Sequence, residues 1–244
     1  MNPLVLTLLC LSSFVAVVFT ILSYKKTLLN LYLKTIASTL FVLLGIASLH
    51  HLVSDFLYNG FVNESLINGL IGGFLIITAL IFCLIGDIIL GMPRISELKR
   101  DRLPVIVGGA SWFLFGHALY CVALISLFKF SYWVFAIIIP LALFYTFANK
   151  LFGKLDYKKL TVGVLLYSLV ESLSLALCIT ALINQFSTAN LLLTIGFTLF
   201  YFSDMVLMHN YFGEKKRINS ILCHASYFPA QILIALSIYF ITVI

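Results

Sequence analysis

The sequence predicts an all-α membrane protein: a polytopic bundle of eight transmembrane helices forming one domain over residues 1–244. Three observations lead there. The chain is 62% hydrophobic and only 10% charged, where soluble domains run near 25% charged. Its apolar residues come in long blocks instead of amphipathic stripes. Only helices and closed barrels satisfy their backbone in lipid, and a barrel would show short alternating segments of about ten residues. Finally, the basic residues alternate from loop to loop in a way that fits eight crossings.

The apolar blocks place spans at about 3–23, 35–53, 66–92, 104–128, 132–149, 160–183, 190–209 and 220–243, each long enough to cross. The first is kept as a membrane helix and not a signal peptide. It has no basic n-region, and Lys25 and Lys26 follow the apolar run instead of preceding it. The fourth and fifth are separated by a tight connection and form a hairpin. Pro140 interrupts the fifth.

The loop charges test this count. Lys25, Lys26 and Lys34 follow span 1. Arg94, Lys99, Arg100 and Arg102 follow span 3. Lys150, Lys154, Lys158 and Lys159 follow span 5, and Lys215, Lys216 and Arg217 follow span 7. Every Lys and Arg except Lys129 therefore falls on one side. The positive-inside rule puts that side in the cytoplasm and both termini outside. The net charge of +6 is this loop charge, so no nucleic-acid partner is expected. Cys10, Cys83, Cys121, Cys178 and Cys223 lie in or beside apolar stretches without a CxxC pair and read as small apolar residues.

A faint repeat runs through the chain. Gly86-Asp87 in span 3 is followed by His117-Ala-Leu-Tyr120 in span 4. Ser203-Asp204 in span 7 is followed by His224-Ala-Ser-Tyr227 in span 8. Two parallel four-helix repeats about an axis along the membrane normal would produce this pattern.

Asp87 and Asp204 are the most informative residues. Each sits in an apolar helix, in Phe82-Cys-Leu-Ile-Gly-Asp-Ile-Ile-Leu-Gly-Met92 and Phe200-Tyr-Phe-Ser-Asp-Met-Val-Leu-Met208. An acid there costs roughly 3 kcal/mol on insertion scales. Both are expected roughly 7 Å from the cytoplasmic helix end, about five residues at 1.5 Å each. Tyr167, Glu171, Ser174 and Cys178 form a polar stripe on one face of span 6. His117 and His224 are placed to face the aspartates, while His50, His51 and His209 lie near helix ends. Asp55, Glu64, Glu97, Asp101, Asp156 and Glu214 read as solvated loop acids. The alternatives stay open: a structural Asp87–Asp204 pair bonded to Tyr or Ser or sharing a proton, interhelical hydrogen bonding along span 6, or an ion pathway. A zinc site from His117, His224 and the aspartates lacks any HxxxH or HExxH spacing, so no metal is expected.

The segments Leu84-Ile-Gly-Asp-Ile-Ile-Leu90, Phe115-Gly-His-Ala-Leu-Tyr120, Leu165-Leu-Tyr-Ser168, Phe202-Ser-Asp-Met205 and Tyr227-Phe-Pro-Ala-Gln231 together resemble the YhhN-like lysoplasmalogenase family, in the family's order from span 3 to span 8. The resemblance implies a hydrolase that cleaves the vinyl ether bond of lysoplasmalogens to a fatty aldehyde and a glycerophospho-alcohol, with no cofactor. It implies Asp87 and Asp204 as the catalytic acids. His117, Tyr120, Tyr227 and Gln231 join them around the substrate, and Tyr167, Glu171, Ser203 and His224 are expected in the same surround. Glu171 departs from the more apolar pattern of that helix, which touches the pocket's polarity and the head group. The expected partners are a lysophospholipid substrate and membrane lipids, without an obligate protein partner. The expected setting is a bacterial cytoplasmic membrane, with the site toward the cytoplasmic half.

The chemistry suits two carboxyls. Protonation of a vinyl ether at its β-carbon gives an oxocarbenium ion, water adds, and the hemiacetal collapses. One carboxylic acid would donate the proton and the other, ionised, would stabilise the cation, by analogy with glycosidases. Which aspartate does which is not legible. The rivals are a transporter or channel using the same acids, a metal-dependent lipid amidase or esterase, and a non-catalytic lipid-binding protein.

Overall fold

The computed structural model describes residues 1–23, 28–59, 64–92, 103–152, 155–157, 160–213 and 216–241. Helices α1 (Pro3–Leu22), α2 (Leu28–Asn59), α3 (Glu64–Gly91) and α4 (Leu103–Leu127) make the first half. The second half holds α5 (Trp133–Leu143), a π turn (Phe144–Ala148), α6 (Asn149–Phe152), α7 (Thr161–Asn184), α8 (Thr188–Phe212) and α9 (Arg217–Ser237), which closes in a 3₁₀ turn, Ile238–Phe240. Among the described residues, eight helices are long and apolar enough to cross a membrane, and there are no strands. The loop lysines and arginines at 25, 26, 94, 99, 100, 102, 154, 158, 159 and 215 lie outside the described residues.

Asp55 and Lys150, expected in loops, lie within helices α2 and α6, and two further corrections bear on the site. Lys34 does not sit in a loop. It lies inside α2, which begins at Leu28 instead of near residue 35, and its side chain is buried against Asp87. A charge ends a membrane helix only when it has to reach water, and this one has a carboxylate to pair with instead. The second concerns depth. Helix α8 runs to Phe212, so Asp204 lies roughly 12 Å from the helix end at 1.5 Å per residue, deeper than the sequence suggested.

Pro140 has no N–H to give, and the helix that contains it widens into the π turn at Phe144 a turn later. Other helices use the result. Tyr201 of α8 donates to the Leu141 carbonyl at 2.6 Å, and Thr146 of the π turn meets Ser168 of α7 at 3.1 Å.

Each half packs as a run of neighbours: α1 on α2 on α3 on α4, and α5 on α7 on α8 on α9. The halves meet where α4 packs on α7 and where α9 packs on both α1 and α2. The α4–α7 and α2–α9 contacts are the two that a four-plus-four repeat would relate. Small residues bring the paired helices close. A Cβ on Gly86 would lie 2.7 Å from Phe113 and 3.2 Å from the Gly109 carbonyl oxygen of α4. One on Gly196 would lie 2.9 Å from Ile234 and 3.2 Å from the Ala230 carbonyl oxygen of α9. The backbone contacts cannot rotate away. Gly86→Ala should therefore lower thermal stability in detergent by about 1–3 kcal/mol, the usual cost of overpacking. An unchanged melting temperature would show that α3 and α4 have slack at this crossing.

Candidate active site

The buried ionisable residues of α2, α3, α4, α7, α8 and α9 include two adjoining clusters, one around each aspartate. They sit where the C-terminal parts of α3 and α8 meet the N-terminal parts of α2, α7 and α9.

Asp87 is held on all sides. Lys34 Nζ lies 2.8 Å from its Oδ1. Ser38, one turn along α2, donates to Oδ2 at 2.5 Å, and Tyr227 of α9 donates to the same oxygen at 2.8 Å. Gln231 then donates from Nε2 to the Tyr227 hydroxyl at 3.2 Å and accepts at Oε1 from Tyr120 of α4 at 3.1 Å. The chain of bonds ties α2, α3, α9 and α4 together. Asp87 is 2% exposed, and a buried carboxylate with a cation and two hydroxyl donors has its charge matched and its lone pairs met.

Asp204 has a different surround. Tyr167 of α7 donates to its Oδ2. Glu171, one turn further along α7, and His117 of α4 complete a buried group whose candidate ligand atoms all lie within 4.8 Å of one another. His117 meets Ser174 at Nδ1, at 3.5 Å. Its Nε2 and both carboxyl oxygens of Glu171 have no hydrogen-bond partner among the described residues. Phe200 stands between the clusters, with ring centroids 4.5 Å from His117 and 5.4 Å from Tyr227. Asp204 remains within electrostatic reach of Asp87 and Lys34.

Asp204 borders a cavity. A cleft of about 170 Å³ runs between α3, α4, α7 and α8, and Asp204 and Tyr167 lie on it among apolar side chains such as Leu90, Ala110, Val164 and Met208. Asp87 does not line it.

The structure thus brings Asp204, Tyr167, Glu171 and His117 into one cluster and Asp87, Tyr227, Gln231 and Tyr120 into the other. Two further expected residues have other contacts. His224 turns its ring onto Phe19 of α1, with centroids 4.9 Å apart, and Ser203 faces Cys223 Sγ at 3.7 Å. Two residues were missed, Lys34 and Ser38. The signal was there: Leu31-Tyr-Leu-Lys-Thr-Ile36 has apolar residues on both sides of the lysine, and Ser38 follows at the helical i+4 position.

The sequence profile of the YhhN family matches residues 62–238, from just before α3 to the 3₁₀ turn that closes α9. The chain belongs to the YhhN family. No curated protein and no solved structure matches the chain. The matched YhhN stretch carries both aspartates, His117, Tyr167, Glu171 and Tyr227. Lys34 and Ser38, which anchor Asp87, lie before it.

Removing one partner of a buried pair leaves the other charge stranded, at about 3–5 kcal/mol. Lys34→Met should therefore destabilise the protein strongly. The double variant Lys34→Met/Asp87→Asn should recover a large part of the loss, since it strands no charge. Thermal unfolding in detergent across the four-member cycle measures this coupling, and additive losses would mean the pair contributes nothing beyond its members.

Proposed function

We propose that this YhhN-family protein is an intramembrane hydrolase that cleaves the vinyl ether bond of lysoplasmalogens, releasing a fatty aldehyde and a glycerophospho-alcohol. The observation that carries this reading is Asp204: a buried carboxyl on the wall of an otherwise apolar cleft. Such a cleft accepts a hydrocarbon chain, and the acid meets the chain where its first carbons join the head group.

The two aspartates divide the work. Asp87 is the fixed anion, held by Lys34, Ser38 and Tyr227. It opposes the positive charge that develops on the substrate, and its donors keep it from reorganising. The Asp204 corner handles the proton. A hydrogen reaches the β-carbon of the vinyl ether from that corner, directly or through a water molecule held there. The alkene π electrons form the new C–H bond, and the ether oxygen shares the charge left on the α-carbon. Water adds to the α-carbon and returns a proton to the corner. The hemiacetal C–O bond then breaks: the departing ether oxygen takes a proton from the corner and becomes the alcohol, while the hemiacetal hydroxyl gives its proton back to the corner as its carbon becomes the aldehyde. One water is consumed and the protein is restored.

The protein works as an integral membrane enzyme with this corner toward the cytoplasmic half and both termini outside. The basic loops read from the sequence support that orientation, and they would draw the anionic phosphate toward the mouth of the cleft.

The direct test incubates purified protein with lysophospholipids that differ only in the sn-1 linkage, vinyl ether, ester or alkyl ether, and identifies products by mass. Aldehyde from the vinyl ether alone is expected; cleavage of the ester alone would replace this reading with a lysophospholipase. Asp204→Asn should lower aldehyde release by about 10²-fold or more, the usual contribution of a general acid, with helix content intact by circular dichroism. Ala110→Trp, which fills the cleft away from the carboxyl, should raise KM more than it lowers kcat.

A further inference from the structure

The group formed by His117, Glu171 and Asp204 leaves three of its polar atoms without a hydrogen-bond partner among the described residues. All three residues are buried, at 1%, 1% and 4% exposure. Glu171 brings two oxygens without a hydrogen-bond partner, and His117 brings an Nε2 without one. An unmet carboxyl inside an apolar bundle is costly, and here it lies beside a second carboxyl. Charge matching does not resolve it within the chain. Lys34 is bound to Asp87, and among the described residues no Lys or Arg is paired with Glu171 or Asp204, which have the Tyr167 hydroxyl and the His117 imidazole beside them.

We propose that His117, Glu171 and Asp204 bind one divalent transition-metal cation of the zinc type. One imidazole nitrogen and two carboxylates are a borderline donor set that suits zinc, and two carboxylate charges neutralise a divalent ion inside the membrane. The geometry needs little change. The candidate ligand atoms lie within 4.8 Å of one another, and bonds of about 2.1 Å in a tetrahedral site would set ligands about 3.4 Å apart. Side-chain rotation closes that gap. The outer contacts are already in position: Tyr167 donates to Asp204 Oδ2, and Ser174 lies 3.5 Å from His117 Nδ1. Metal-binding side chains are commonly oriented by contacts of this kind. The three protein ligands leave a fourth position for water, next to the cleft that Asp204 lines. A metal-bound water is far more acidic than free water, and it would be the water through which this corner passes its proton.

The site rests on the donor set and not on the vinyl ether assignment, so its test uses no lipid. The purified protein is stripped with chelator, loaded with zinc, desalted and assayed for bound metal; a parallel sample is loaded with Co²⁺ and its visible spectrum recorded. About one zinc per chain is expected, with Co²⁺ d–d bands of four- or five-coordinate strength. Both should be lost in Glu171→Gln and in His117→Gln, and kept in Tyr120→Phe, which alters only the neighbouring cluster. Wild-type protein that holds no more zinc than the Glu171→Gln variant overturns the proposal. Where a variant loses its helix content, the wild-type Co²⁺ spectrum decides, and the absence of d–d bands overturns it equally. Aldehyde release by a protein shown to bind no metal would leave the hydrolase standing and remove only this site.

Discussion

The buried ion pair between Lys34 and Asp87 is the constraint on which the rest of the arrangement depends. Neither charge would be tolerated alone at this depth, since an unpaired ion in an apolar bundle costs several kcal/mol. Together, and with Ser38 and Tyr227 completing the carboxylate's bonds, they fix α2, α3 and α9 against one another. Gln231 and Tyr120 extend the same bonds to α4. The pair also explains why α2 starts before its lysine: the charge is part of the packed interior, not a boundary marker.

Once Lys34 is spent on Asp87, the second cluster must be balanced in another way. That difference separates two residues that look alike in the sequence. Asp87 is saturated with donors and closed to the cleft; Asp204 has one tyrosine donor, a carboxyl neighbour, an imidazole and an open side. Asymmetry of this kind suits a reaction in which one group stays charged throughout while another exchanges protons. Helix α2 brings Lys34 and Ser38 to one aspartate and α7 brings Tyr167 and Glu171 toward the other, each pair four residues apart on its helix.

The legibility of the protein follows its physics. Eight helices could be read because lipid imposes a long apolar run on each crossing. The α7 stripe was legible for the same reason, since i, i+4 spacing is a local property. Lys34 was misread because a lysine at the edge of an apolar block carries the same sequence signal whether it reaches water or a carboxylate. The surroundings of His224 were not legible from the HAxY match with His117, because its ring packs against Phe19 of α1, far away in the chain.

By itself, the sequence determined that this chain is a helical membrane bundle of eight crossings with costly acids in two of them, because hydropathy, helix length and residue charge are properties of local segments. Only the tertiary structure decided which partner each acid received. Lys34 meets Asp87 across α2 and α3, and His117, Glu171 and Asp204 meet from α4, α7 and α8. Those meetings depend on how helices far apart in the chain rotate and cross, and side-chain packing between helices sets that geometry where no single segment records it.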